Sequence, residues 1–262
     1  MPYLSNTSST SFEARLIRIL LVLLCLSPLL SATSYAQIQP FEARYQAKFK
    51  GVPIGSGERR LSLLPGGEYQ LENRASALGG SMTYDVTARF EYQQQTIVSL
   101  GYHHTQTAPF KKLSARGFPD RKGGLIVVFD NKERMHFPPE EDQTSQLLDA
   151  ASFSVQLQHD IKRGLTDITY YYNTLDEMDK HRFEVLGNEQ VTTQLGSFDT
   201  VKVEQRKNDS RVTYLWLAPA LDYQVVKAEI VRKGKSWATL ETTYLKIADD
   251  ILLTSKSSDD RS

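Results

Sequence analysis

The chain has one cysteine in 262 residues, Cys25, and it lies in an apolar run near the N-terminus. The rest of the sequence therefore has no disulfide, no thiolate metal site and no cysteine nucleophile. Net charge is missing as well, since 31 basic residues offset 31 acidic ones. The overall balance gives no electrostatic reason to expect nucleic acid or an anionic membrane surface as partner. The longest apolar run, Ile19–Leu30, is interrupted by Ser27 and Pro28. It falls short of the roughly 20 residues that a membrane-spanning helix needs. Catalytic signatures are also lacking: there is no G-x-S-x-G elbow, H-E-x-x-H, P-loop or G-x-G-x-x-G. No catalytic residue, metal ligand set or cofactor is expected.

What is present near the N-terminus is an ordered series. Arg15 and Arg18 precede the apolar run, and small residues follow it up to Ser34-Tyr35-Ala36. That succession reads as a secretory signal peptide over residues 1–36, cleaved after Ala36. Leu23 and Leu24 stand where a lipid-attachment site would want small residues before Cys25, so the cysteine belongs to the apolar run. Removing Glu13, Arg15 and Arg18 leaves 29 basic and 30 acidic residues. The expected location is the periplasm, with no transmembrane span in the mature chain. Residues 37–248 read as a single β-rich domain, long enough to bury a core without staples. Residues 249–262 read as a polar, disordered tail.

Period-two alternation dominates the body of the chain. Phe41, Ala43, Tyr45, Ala47 and Phe49 fall on one face, with Glu42, Arg44, Gln46 and Lys48 on the other. Met82 to Tyr92 repeats the pattern, and Tyr69 and Leu71 continue it through Asn73 to Ala75 and Ala77. Pro65-Gly66-Gly67 and Gly79-Gly80 punctuate these runs. The glycines between Gly51 and Gly57 read as a hairpin turn with a bulge. Similar stretches recur to Lys246, roughly a dozen strands in all, spaced by turns such as Leu186-Gly187-Asn188 and Lys233-Gly234-Lys235.

One segment departs from this rhythm. Leu147, Ala150, Phe153, Leu157 and Ile161 recur every three or four residues, and Gly164 stands where a helix ends. A helix from near Asp149 to Arg163 is expected, with Ser152, Gln156, His159 and Arg163 on its opposite side. The fold class that follows is mainly β: a curved antiparallel sheet, a half-barrel or open barrel, with one packed α-helix.

Candidate polar sites are bland. His103 and His104 are neighbours on a strand and point to opposite faces, so they cannot share a metal. Glu140-Glu141-Asp142, Asp176-Glu177-Met178-Asp179 and Asp249-Asp250 read as solvated loop charges. Glu189 caps a turn or pairs with an arginine. Asn208-Asp209-Ser210 reads as a hairpin turn. The aromatics are more informative, with 13 tyrosines and 11 phenylalanines. Inward-facing, they fill a core; on a strongly curved sheet they could instead line an apolar concavity that the helix covers. The candidate ligand-binding residues are Tyr45, Phe49, Tyr84, Phe90, Tyr92, Phe153 and Leu157.

Several stretches taken in order resemble an exported bacterial family, domain of unknown function 3108. They are Tyr45–Gly51 with Gly55, Val127-Val128-Phe129-Asp130, the helix Asp149–Gly164, Gly187-Asn188-Glu189, Leu195–Val203 and Trp216-Leu217-Ala218-Pro219. Where the family often has an aromatic after the aspartate, Asn131 stands here. The resemblance carries no assigned activity. It implies a fold similar to the half-barrels of periplasmic lipoprotein carriers, a sheet closed by helices.

The expectation is a periplasmic, non-catalytic protein that binds a hydrophobic, acyl or lipid-like ligand or a cell-envelope component. The alternative is a scaffold or assembly factor that binds a protein through a sheet edge and has no cavity. An outer-membrane barrel is disfavoured because Arg44, Lys48, Arg74 and Arg89 interrupt the face that lipid would require to be apolar. A hydrolase is disfavoured by the missing nucleophile motif.

Overall fold

In the computed structural model the described residues are 38–130, 132–138, 147–173, 178–208, 210–248 and 251–255. The expected signal peptide with Cys25, the acidic stretches 140–142 and 249–250, residues 174–177, Asp209 and the end of the tail lie outside them.

Among the described residues, sixteen strands form one open, curved sheet. The first eight make an antiparallel meander: β1 (Phe41–Phe49), β2 (Val52–Leu63), β3 (Tyr69–Ala77), β4 (Met82–Gln93), β5 (Thr96–Ala108), β6 (Lys111–Pro119), β7 (Leu125–Phe129) and β8 (Arg134–Phe137). The second meander comprises β10 (Asp167–Asn173), β11 (Met178–Thr193), β12 (Gly196–Asn208), β13 (Arg211–Ala218), β14 (Gln224–Arg232) and β15 (Lys235–Ile247), with β16 (Ile251–Thr254) beside β15. The two halves are joined at β1 and β15, where Ala43 opposes Leu245 and Tyr45 opposes Thr242. The short β9 (Leu147–Asp149) runs parallel to β10. The sheet is therefore mixed at this end, whereas alternation alone implied an antiparallel one.

The alternation works as it does because register aligns the apolar positions across strands. Phe41, Leu61, Leu71, Ala88 and Tyr102 are successive partners from β1 to β5, and all are buried. Burying a side chain such as Leu71 stabilises the fold by about 1.5–3 kcal/mol. The β1–β2 hairpin turns at Lys50-Gly51, with its register shift between Ala47 and Lys48. Leu186-Gly187-Asn188 is not a turn. β11 runs through it, and the ladder to β12 slips between Val185 and Gly187. Gly187 takes a φ of 132° there, a conformation that suits a bulge as well as a turn.

Helix α1 (Phe153–Lys162) is the single α-helix among the described residues. It begins later than the periodicity implied because Asp149 remains in β9 and prepares the first turn. One oxygen of its carboxylate accepts from the Ala151 and Ser152 amides at 2.9 and 2.8 Å, the other from Ser152 Oγ at 2.7 Å. Gly164, with φ 89°, closes the other end by donating its amide to Ile161 O. The side opposite the apolar stripe is buried too. Gln156 accepts from the Ile97 amide at 2.8 Å and donates to Gln95 O at 3.1 Å. Gln158 donates to Asp222 O at 2.6 Å. The helix thus lies inside the curve of the sheet and spans from the β4–β5 turn to the β13–β14 connection.

Candidate functional site

Beyond the helix, the inner face of β1–β4 changes from large side chains to small ones. Tyr45, Gly57, Ala75 and Tyr84 oppose one another in register, and Ala47, Gly55, Ala77 and Met82 form the next row. Four alanines and glycines, Ala47, Gly57, Ala75 and Ala77, leave a groove of about 360 Å³ that Met82, Tyr84, Gln106 and Leu240 also line. Its surface is mostly apolar. Its volume lies at the small end of the range for ligand sites. At Gly55, a Cβ would stand 2.1 Å from the Ser76 carbonyl oxygen, so no side chain fits there. At Gly57 the nearest atoms to a Cβ are at 3.5 and 4.0 Å. The hollow at that point is left open by the residue type rather than enforced by crowding.

The inner end of the groove is polar. Arg59, on β2, donates from Nε to Asn73 Oδ1 at 3.2 Å and from its terminal nitrogen to Ser154 Oγ on α1 at 2.7 Å. The guanidinium also lies 5.5 Å from the centre of the Phe41 ring. No ion pair holds it among the described residues. Tyr45 is 4% exposed, and its hydroxyl has no hydrogen-bond partner there. Burial, with Asp149 nearby, pushes the Tyr84 hydroxyl up to about 12, so it stays protonated.

The sequence-derived candidates are dispersed across the structure. Tyr45 and Tyr84 line the groove. Phe49 meets Trp237 edge to face at 5.1 Å. Phe90 is fully buried and stacks on Tyr69 at 5.6 Å. Tyr92 reaches His159 Nδ1 at 3.2 Å. Phe153 stacks on Tyr172 at 4.2 Å, and Leu157 is 2% exposed in the core. None of these last five lines the groove. Residues not singled out from the sequence, namely Ala47, Arg59, Asn73, Ala75 and Ala77, define it instead. Their one sequence signal was small residues at alternate positions, as in Ala75-Ser76-Ala77.

Elsewhere the polar candidates take structural places. His103 is exposed and His104 buried, as the pleat requires. Glu189 pairs with Lys202 at 3.0 Å, and this hydrogen-bonded ion pair holds its carboxyl below the usual range. Among the described residues no cluster of His, Asp or Glu could hold a metal ion, and no helix is long and apolar enough to cross a membrane.

The chain shares its fold with a β-barrel-like protein of domain of unknown function 1849 from Brucella abortus. The two are 9% identical, with a TM-score of 0.55 over 81% of this chain and 99% of the other. It is more distantly similar to a protein from Bacteroides fragilis, assigned as exported, with a YmcC-like fold (11% identity, TM-score 0.36, 80% and 97% covered). It is similar also to an outer membrane lipoprotein-sorting protein domain from Vibrio parahaemolyticus (13% identity, TM-score 0.22, 81% and 86% covered). Among curated proteins, none matches the chain. Residues 44–234, which run from β1 to the β14–β15 turn and include the whole N-terminal wall of the groove, match the family of proteins of unknown function DUF3108, and the chain belongs to that family.

Proposed function

We propose that the protein is a non-catalytic binding protein of the cell envelope, exported to the periplasm, that holds the apolar part of an acyl or lipid-like ligand in the groove of β1–β4. The observation that carries this reading is the double row of Ala47, Gly57, Ala75 and Ala77, which leaves an apolar hollow where neighbouring rows are filled. Tyr45 and Tyr84 form its walls, and Arg59, which has no ion pair among the described residues, offers a positive charge to an anionic head group at its inner end. Helix α1 serves as a fixed support: its buried face is anchored at both ends and it contributes no residue to the lining.

The test is to extract the purified protein with organic solvent and to titrate it with a fluorescent fatty acid, beside a Gly57→Leu variant that fills the groove. Wild type should carry extractable amphiphile and bind the probe, and the variant should lose both with its thermal midpoint little changed. Equal probe binding by both proteins would remove the groove from consideration. Export is tested by intact mass, which should correspond to a chain beginning at Gln37.

A further inference from the structure

The turns at the two ends of the sheet ask for the same backbone and carry different chemistry. At the end reached by the groove, non-glycine residues with positive φ are Lys50 (48°), Leu78 (51°), Phe110 (66°), Lys132 (66°) and Lys233 (49°). At the opposite end they are Gln94, Gln95, Asp222, Tyr223 and Ala248. Left-handed backbone is costly for a branched or aromatic side chain, and glycine or asparagine would serve a turn better. Leu78 and Phe110 therefore oppose local preference, and neither gains burial in return. Phe110 is 108% exposed, Leu78 57% and Val52, beside Lys50, 62%.

These tips lie along one end of the sheet, on strands that pair in order from β8 through β1 and β15 to β14. Lys50 donates its amide to Trp237 O, which joins the β1–β2 and β14–β15 turns. Ala77 and Met82, which flank the β3–β4 turn, line the groove itself. The rim also carries positive charge. Several basic residues along the strands have acidic partners, as Arg44 with Glu42, Arg74 with Glu72, Arg182 with Asp167, and Arg206 with Glu204, whereas Arg60, Arg116 and Arg134, and Arg121 and Lys122 at the opposite end, have none among the described residues. Lys50, Lys111, Lys112, Lys233 and Lys235 are exposed and have no ion pair among the described residues. The neutral total charge conceals this local surplus.

We propose that the rim docks on an anionic lipid bilayer, with Val52, Leu78 and Phe110 entering the interface and the lysines facing headgroup phosphates. Exposed apolar tips ringed by unpaired lysines match such a surface in both polarity and charge. Docking in this way would turn the mouth of the groove toward the membrane, but it does not depend on what the groove holds.

Cosedimentation of the protein, as purified from cells expressing the whole chain, with phosphatidylglycerol-containing or pure phosphatidylcholine vesicles tests this. Wild type should sediment with the anionic vesicles and be released by raised salt. A Lys50→Glu/Lys111→Glu/Lys112→Glu variant and a Leu78→Asp/Phe110→Asp variant should each bind at least tenfold more weakly. A Phe110→Trp variant reads insertion without loss of the ring, because its emission should move to shorter wavelength on adding anionic vesicles. No sedimentation, equal binding to neutral vesicles, unchanged binding by folded variants, or unshifted emission would each overturn the proposal. Extracting the same preparations separates the two readings: ligand without vesicle binding defeats the rim alone, and vesicle binding by an empty protein defeats the groove alone.

Discussion

Arg59 of β2 and Ser154 of α1 meet at 2.7 Å, the guanidinium donating to the serine hydroxyl, and so fasten the wall of the groove to the helix inside the sheet. Ser154 passes the link on, donating to Ala151 O at 2.7 Å. The bond sits where apolar lining gives way to polar support, so it contributes to both stability and the character of the site.

Replacing Arg59 by alanine should destabilise the protein by about 1–3 kcal/mol, since Asn73 loses its donor and the Phe41 ring its cation. Ser154→Ala should cost less. Urea unfolding of both single variants and the double variant should give a coupling energy of about 0.5–1.5 kcal/mol. Strict additivity would show that the contact contributes nothing to the fold.

Asp160 should be harder to replace. Its carboxylate, 6% exposed, accepts from Tyr170 Oη at 2.6 Å, Arg163 at 2.9 Å and Gln156 at 3.1 Å. Asp160→Ala strands the buried Tyr170 hydroxyl and should lower stability by about 2–4 kcal/mol. Asp160→Asn, which can still accept, should lose less in the same denaturation experiment.

Stability should decline in mild acid. Burial, reinforced by His103, lowers the His104 pKa from 6.5 to about 4, and Asp85 opposes this only in part. Between those values the unfolded chain binds a proton that the folded chain does not, so stability present above pH 6.5 is lost as pH falls toward 4. His159 and His181 are lowered by burial too and act in the same direction. Thermal midpoints measured from pH 7 to 4.5 should fall less steeply for His104→Phe than for wild type. Parallel curves would assign the acid sensitivity to other groups.

Gly117 should not tolerate even one added methyl. A Cβ there would lie 2.0 Å from Cε1 of Tyr102, whose ring covers the glycine. Gly117→Ala should cost about 1–3 kcal/mol through overpacking. Adding Tyr102→Leu should recover part of that loss in thermal unfolding, and an unchanged midpoint for Gly117→Ala would contradict the packing seen here.

The strands and the helix are legible because one side of each is apolar, and that side writes its period into the sequence. Phe41 to Tyr45 and Met82 to Tyr92 show this directly. The bulge at Gly187 looks like a turn in the sequence, since both features break the alternation and both accept a glycine with positive φ. The buried polar side of α1 was not legible as buried. The partners of Gln156 and Gln158 are backbone groups of distant turns, which no pattern of side chains reveals. The groove is illegible in the sequence for a related reason. Large aromatics such as Phe90 and Phe153 attract notice and fill the core, whereas a hollow is made by what Gly57, Ala75 and Ala77 do not supply.

The pairing of β1 with β15 also sets the order in which the protein can be made. Each meander can zip hairpin by hairpin from local contacts, but the seam brings Phe41 to Ile247 and Phe49 to Ala238. Such distant partners close late, because the intervening chain must first be ordered. Until Lys235–Ile247 has arrived, β1 presents an unpaired edge in the middle of the future sheet, able to capture another chain. A polypeptide that crosses a membrane N-terminus first would meet this hazard during the whole of its passage, and a stop just before residue 235 would leave two half-sheets with sticky margins rather than a smaller version of the protein.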